Sequence, residues 1–411
     1  MSFKENELIE TTLSEISIDG KGSYGISASA VEYSNNLYTY LRITDITDNG
    51  KLIKDGLKSV DDENAYKYIL KPNDIVFART GNSTGRSYFY DGSDGELVYA
   101  GFLIKFSLDS KKVNPKFMRY YTLSEEYRKW VASFSTGSTR GNINAKTYGN
   151  MKIRLPERKQ QDFLVEILSD LDEKIEVNNK INKNLEEMAQ AIFKQWFVDF
   201  EFPNEEGKPY KSSGGEMVES ELGMIPKGWE KCTLDKVANV SAGGDKPKKF
   251  SKIACDEYTV PIYSNGIDRE GLYGYTDKAK ILEESVTVSA RGTIGYVCLR
   301  HQPYVPIVRL ISVTPNTKLV SAKYLYFLLK RTNIIGTGTT QQQLTVPDFK
   351  KTKMYVPQYE YMKKFTIIVN SWFERINNNN IENEILEKLR DTLLPKLMSG
   401  EIRVPLENSE N

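Results

Sequence analysis

No two prolines are adjacent anywhere in this chain of 411 residues. That excludes the (N/D)PP(Y/F) tetrapeptide that a methyltransferase acting on a base amino group needs beside its cofactor-binding Gly motif. Histidine occurs once, as His301 in "LRHQPYVP", so a His-rich metal site is excluded and no nucleophile triad is supported. Three cysteines (Cys232, Cys255, Cys298) form no CxxC pair, which argues against a zinc site and for a reducing compartment. The nearest approach to a P-loop, "GNSTGRS" at 81–87, is one residue short and has Arg86 where lysine belongs. No apolar run approaches the ~18 residues of a membrane span, and "MSFKENELIETTLSEI" has no apolar signal core. The expected setting is cytoplasmic, without a membrane partner. The net charge of +1 rules out a global polycation, so a nucleic-acid binder of this balance must concentrate its Lys and Arg on one face.

What is present is a repeat. "STGSTRGNINAKTYGNMKIRLP" (135–156) returns as "GTGTTQQQLTVPDFKKTKMYVP" (336–357), with Pro156 and Pro357 separated by 357 − 156 = 201. The same offset continues through the next segment. There Leu164, Leu168, Ile175, Asn178, Leu185, Ile192 and Trp196 match Phe365, Val369, Ile376, Asn379, Leu386, Leu393 and Leu397. Upstream the offset drifts: "NPKFMRYY" (114–121) resembles "SAKYLYFL" (321–328), "TLSEIS" (12–17) resembles "TLDKVA" (233–238), and "ARTG" (78–81) resembles "ARG" (290–292). A tandem duplication of a domain and a helix accounts for this.

After Pro156 a helical pattern runs for about 40 residues, with apolar positions 164, 168, 171, 175, 181, 185, 188, 192 and 196 stepping by three and four. The second copy repeats it, with Pro395 expected to kink or end the helix. At 1.5 Å per residue each helix would be on the order of 60 Å long. Two such stripes separated by a whole domain pair most simply as an antiparallel coiled coil, with Asn178 and Asn379 on the seam fixing register. The apolar surplus in "AIFKQWFVDFEF" (191–202) suggests a further partner helix. The reading is therefore α+β. Two duplicated domains, each a curved antiparallel sheet with helices, occupy 1–155 and 229–356. Long helices occupy 156–202 and 357–411, a linker covers 203–228, and the whole is pseudo-two-fold.

No catalytic motif emerges. "VPDFKKTK" (346–353) offers Asp348 and lysines of nuclease type, but its mate "AKTYGNMK" has Lys146 and Thr147 in place of Pro347 and Asp348. A helix or turn start is the simpler reading there. Four polar loops remain: "ARTGNSTGRS" (78–87), "STGSTRGNINAKTYG" (135–149), "SARGTIG" (289–295) and "GTGTTQQQLT" (336–345). Arg reads guanine, Asn and Gln read adenine, and hydroxyls hold phosphates, so these loops suit DNA. The candidate contacts are Arg79, Asn82, Thr84, Arg86, Ser138, Thr139, Arg140, Asn142, Asn144 and Lys146 in the first domain. In the second they are Arg291, Thr293, Thr339, Thr340, Gln341, Gln342 and Gln343. "KPKKFSK" (246–252) adds candidate phosphate contacts.

The order domain, helix, domain, helix resembles the specificity (S) subunit of Type I restriction-modification enzymes. The resemblance covers essentially the whole chain. It is carried by "AIFKQWFVDFEF", by "LLPKLMSGEIRV" (393–404), by "IPKGWEKCTLDKVANVSAGG" (225–244), by "SARGTIG" and by the two "TG(S/T)T…P" segments. The first domain opens without an "IPKGW". The resemblance implies two target recognition domains reading a bipartite, asymmetric double-stranded DNA site, with the helices as a spacer. It implies a chain that is not an enzyme by itself and holds no cofactor. Two methyltransferase subunits would carry S-adenosylmethionine, and restriction subunits would use ATP and Mg²⁺. Phe193, Trp196, Phe197, Leu394 and Leu397 are the residues expected to pack between helices or at the interface with the methyltransferase subunits. The competing reading is a coiled-coil scaffold with two binding heads for a non-DNA ligand.

Overall fold

The structure, a computed structural model, describes residues 7–134, 141–221, 223–336 and 343–403. It divides into two compact units, residues 1–178 with 381–411, and residues 179–380. The division cuts through both long helices, so each unit contains one globular domain and half of each helix.

In the first unit the strands are β1 (Ile9–Thr12), β2 (Ser23–Tyr24), β3 (Ala30–Val31), β4 (Tyr38–Leu41) and β5 (Lys58–Val60). They continue as β6 (Asp74–Ala78), β7 (Ser87–Tyr90), β8 (Leu97–Tyr99) and β9 (Leu103–Ser107). Helices α1 (Pro115–Tyr121), α2 (Glu125–Ala132) and α3 (Ala145–Gly149) precede β10 (Lys152–Leu155) and the long α4 (Arg158–Phe197). The expected single antiparallel sheet is in fact two four-stranded sheets. One is antiparallel, in the order β2-β9-β6-β7; the other, β3-β5-β4-β8, contains a parallel pair, β4 with β8. Every residue of β6, "DIVFA", is buried, as a central strand covered on both faces requires. Its Phe77 stacks on Tyr148 of α3, with ring centroids 4.7 Å apart. The Tyr148 hydroxyl donates to the Ala78 carbonyl at 2.9 Å. Thus α3 is fastened directly to the end of the central strand.

The second unit contains a hairpin, β11 (Met217–Ser220) with β12 (Gly223–Pro226), then β13 (Glu230–Thr233), α5 (Leu234–Val237) and β14 (Ala238–Ala242). Strands β15 (Val260–Tyr263), β16 (Leu272–Thr276), β17 (Ser285–Val288), β18 (Val297–Arg300), β19 (Val305–Pro306) and β20 (Ile311–Pro315) follow. The unit continues through α6 (Ala322–Arg331), α7 (Val346–Lys350) and β21 (Lys353–Val356) into the long α8 (Tyr359–Met398). Its sheets, β14-β20-β17-β18 and β16-β15-β19, repeat the strand order of the first unit, and β15 runs parallel to β19 as β4 does to β8.

The duplication is therefore topological as well as sequential. The offset of 201 places α3 on α7 (145 + 201 = 346), β10 on β21 (152 + 201 = 353) and both ends of α4 on those of α8 (158 + 201 = 359; 197 + 201 = 398). Short helices α1 and α6 start 207 apart, each behind a side-chain cap, Asn114 and Ser321.

Residue pairs between the long helices run in opposite directions. In the first unit Asp172 meets Arg390 and Asn178 meets Asn383. In the second, Asn182 meets Asn379. The antiparallel pairing and the burial of Asn178 and Asn379 follow the expectation. Three expectations need correction. The apolar seam widens near its end: Trp196 is buried as expected, but Ala189, Phe193 and Phe197 are buried beside it whereas Met188 and Leu389 are exposed, because the globular domain covers one flank of the helix. Pro395 does not end α8, which continues to Met398 and stops before Gly400 in left-handed conformation. Buried Leu394 and Leu397 hold that last turn in place. The 203–228 segment is not a featureless linker. Besides the hairpin, Phe202 stacks on Tyr210 at 4.5 Å and on Trp229 at 5.7 Å, and apolar burial orders the chain there.

Candidate nucleic-acid interface

In the first unit the end of β6 is a junction of three segments. The Arg79 amide donates to the Phe102 carbonyl at 3.0 Å, and the Arg79 carbonyl accepts from Ile143 at 2.9 Å. Thr80 and Asn142 form a β-bridge. The Arg79 guanidinium lies 5.0 Å from the Tyr24 ring centroid. The Tyr24 hydroxyl accepts the first free amide of α3, from Ala145, at 3.2 Å. Nε of Arg79 is buried without a hydrogen-bond partner, an arrangement that typically costs about 1–3 kcal/mol.

The predicted contacts around this junction separate into two groups. Asn82, Asn142 and Lys146 are exposed and Arg79 is half-buried. Others are committed to the scaffold. The Thr84 hydroxyl donates to the carbonyls of Gly81 and Gly141 at 2.8 and 3.0 Å. Arg86 pairs with Asp48 at 2.7 Å and donates to the Ile46 carbonyl at 3.0 Å. Asn144 caps α3, its Oδ1 accepting from the Thr147 amide at 2.9 Å. Ser138, Thr139 and Arg140 lie outside the described residues, as do Thr339, Thr340, Gln341 and Gln342.

In the second unit Arg291 and Thr293 are exposed, and the Arg291 guanidinium donates to Gln343 Oε1 at 3.0 Å. The similarity of "ARTG" to "ARG" suggests that Arg79 and Arg291 are equivalent, but the hydrogen-bond register does not. Ile143 donates to Arg79, whereas its mate Leu344 (143 + 201) donates to Ala290 at 3.0 Å. Val288 pairs with Ile311 as Phe77 pairs with Ile104. Arg291 thus stands in the place of Thr80, one residue along, where a strand-like backbone turns the side chain to the other face. A neighbouring cluster places Lys246 3.9 Å from the Phe250 ring and Lys252 3.6 Å from Tyr273. Sequence reasoning singled out those lysines but missed Tyr24 and Phe102, because nothing in their local pattern marks them. Hairpins distant in sequence bring them to Arg79.

Phe193, Trp196, Phe197, Leu394 and Leu397, expected between helices or at the methyltransferase interface, are all buried within the chain. Phe193 packs against Phe327 at 5.5 Å, and Phe197 edge-on against Tyr324 at 5.1 Å, both on α6. The surplus apolar surface of α4 is thereby absorbed by the chain's own helix. Among the described residues no group of three or more His, Cys, Asp or Glu is placed to hold a metal ion. Burial pushes the Cys298 thiol up to about 11, which leaves it unreactive at neutral pH. No helix of the described residues is long and apolar enough to cross a membrane.

Two copies of one topology carry polar side chains at the end of a central strand, Asn82, Asn142 and Lys146 exposed in the first and Arg291 and Thr293 in the second, and with the long helices they define a two-headed, helix-linked class of protein. The model of the family described as "Type I restriction modification DNA specificity domain" matches residues 11–187 and 226–388, and the chain belongs to that family. It is 26% identical to the Type I restriction enzyme HindI specificity subunit of Haemophilus influenzae, over 82% of this chain and 88% of that one. It is 28% identical to the MjaIX specificity subunit of Methanocaldococcus jannaschii, over 70% and 69%. The crystal structure of the Type I S subunit from M. genitalium superposes with a TM-score of 0.58 at 16% identity, covering 97% of this chain and 98% of that one, and so shares its fold.

Proposed function

We propose that this chain is the DNA-reading specificity subunit of a Type I restriction-modification enzyme, with each globular domain reading one half of a split, asymmetric duplex target. The observation that carries this reading is a coincidence of boundaries: the two family-matched stretches fall on the two copies of one topology. Arg79, Asn82, Asn142 and Lys146 are the assigned contacts of the first head, and Arg291, Thr293 and Gln343 those of the second. Because the two sets differ in residue type and in register, the half-sites differ. Lys246 and Lys252 supply sequence-independent phosphate attraction. The paired long helices support a spacer role and the docking of two methyltransferase subunits. Those subunits would bring S-adenosylmethionine and modify adenine, while restriction subunits would bring ATP and Mg²⁺ to the same complex.

The test is to express this chain with its cognate methyltransferase subunit in a methylation-free host and map modified bases. A bipartite motif with a fixed gap is expected, and exchanging residues 229–356 for those of a relative should rewrite one half only. If the purified complex retained duplex DNA with no bipartite preference, the reading would be wrong and a scaffold with non-DNA heads would take its place.

A further inference from the structure

A cleft of about 570 Å³ opens in the first unit beside the junction just described. Its walls include Tyr24, Ile26, Ile43 and Phe102 together with Arg79, Ser27, Thr44 and Arg42, whose guanidinium is already engaged by Asp45 at 2.6 Å. Phe102, on the turn between β8 and β9, is 59% exposed, and Tyr24 is 42% exposed. Two large aromatic rings are thus held exposed at a mostly apolar cleft, beside a guanidinium whose Nε lacks an acceptor. Main-chain bonds fix the position of each. Phe102 and Ile143 clamp the Arg79 backbone on both sides, and Tyr24 is tied to α3.

From this geometry we infer that the cleft receives a single nucleobase unstacked from the first half-site, resting on Tyr24 and Phe102 with Arg79 hydrogen-bonding its edge. The inference deepens, and rests on, the DNA-reading assignment above. A base is planar and apolar on its faces, and its edges carry acceptors. A mostly apolar slot with aromatic walls and one guanidinium not committed to a carboxylate recognises that combination. Asn142 is bridged to Thr80, the residue after Arg79 in the chain, so a duplex read by that exposed amide would pass close to the cleft. A protruding aromatic at a turn also acts as a wedge that opens a base step.

The second unit lacks each of these features. The pairing of β2 with β9 and of β14 with β20 puts Ala242 at the position of Tyr24. The loop bonds Leu103 to Ala100 and Leu310 to Ile307 put Arg309 at the position of Phe102. Ala290 takes the place of Arg79, as shown above. A base taken out of the stack by a recognition head is therefore a property of the first half-site alone.

The experiment uses the full chain in complex with its methyltransferase subunits and duplexes bearing the mapped target. 2-Aminopurine is placed in turn at, or immediately 3′ of, each position of both half-sites. A several-fold fluorescence rise is expected at one position of the first half-site that is not the methylated adenine, with none at non-methylated positions of the second. Phe102→Ala, which keeps the carbonyl that Arg79 uses, should abolish the rise. Tyr24→Leu, which removes the second aromatic platform and its hydroxyl tie to α3, should diminish it. Circular dichroism and retained binding by both variants confirm that each is folded. A rise confined to the methylated adenine, a flat response with half-site preference intact, or a rise unaffected by Phe102→Ala would each overturn the proposal while leaving the specificity assignment standing. Loss of all half-site preference in the wild-type complex would remove both.

Discussion

The amide of Asn178 donates to Oδ1 of Asn383 at 2.9 Å, and both side chains are buried between the long helices of the first unit. The repeat offset turns this contact into its own mate. Asn379 (178 + 201) donates to Asn182 (383 − 201) at 2.7 Å in the second unit. One pair of positions thus makes the same bond twice with the roles of the two helices exchanged. Buried amides at a helix seam cost stability but penalise every other register, since a slip leaves them unpaired.

Removing one amide should therefore cost more than removing both. Asn178→Ala is expected to destabilise by about 1–3 kcal/mol because the buried Oδ1 of Asn383 loses the donor that Asn178 supplies. The double variant with Asn383→Ala should recover part of that loss. Chemical denaturation of the four proteins of the cycle measures the coupling, and strict additivity would remove the register role.

Arg390 is 8% exposed and donates to Asp172 at 2.9 Å, while Asp172 also accepts from Arg119 at 3.2 Å and from the Tyr120 hydroxyl at 3.1 Å. Asp172→Asn weakens the contacts to Arg390, Arg119 and Tyr120 but leaves Arg390 paired with Asp391 at 2.9 Å, so it should destabilise by about 1–3 kcal/mol. Adding Arg390→Met to that variant should raise the thermal midpoint again.

Two neighbouring residues of α4 should separate cleanly by burial. Phe193→Ala opens a cavity among Tyr324, Phe327 and Phe365 and should cost about 3–5 kcal/mol. Met188→Ala, at a residue 50% exposed, should change stability by less than about 0.5 kcal/mol. Calorimetry of both reads the difference.

Burial alone would raise the Glu284 carboxyl, but hydrogen bonds from His301 and Lys323 hold it below its ordinary value of 4.5. A folded-state value below the unfolded one means that the stabilisation is complete above the unfolded value and lost as pH falls through the folded one. The thermal midpoint should hold from neutral pH to about 5.5 and decline below about 4.5. Glu284→Gln should start lower at pH 7 and decline less steeply over the same range.

Arg86 and Arg291 are both loop arginines, yet they should behave differently. Arg86→Ala frees Asp48 and the Ile46 carbonyl and should lower stability without altering which DNA is chosen. Arg291→Ala should weaken binding to the target by about 1–3 kcal/mol and relax one position of the second half-site. Binding measured on a panel of single-base variants distinguishes the two outcomes.

Much of this molecule was legible before any coordinates. The offset of 201 revealed both long helices and their correspondence, although the expected spans of 156–202 and 357–411 overran the observed 158–197 and 359–398. The seam asparagines were evident because polar residues interrupt an apolar period. Composition and periodicity are local, and helices are built from local bonds, so such elements survive in a one-dimensional reading. The strand pairing was not legible in the same way. "ARTG" and "ARG" look alike, but pairing between distant strands sets their positions one residue apart.

By itself the sequence determined the duplication, the two long helices and the chemistry of the loops, since each depends on residues near one another in the chain. Only the tertiary structure decided that Thr84, Arg86 and Asn144 serve the scaffold, and that Phe193 and Trp196 are covered by their own domain. It alone brought Tyr24 and Phe102 to Arg79. Burial and partner choice depend on what distant segments deliver to the same point, and no local pattern records that.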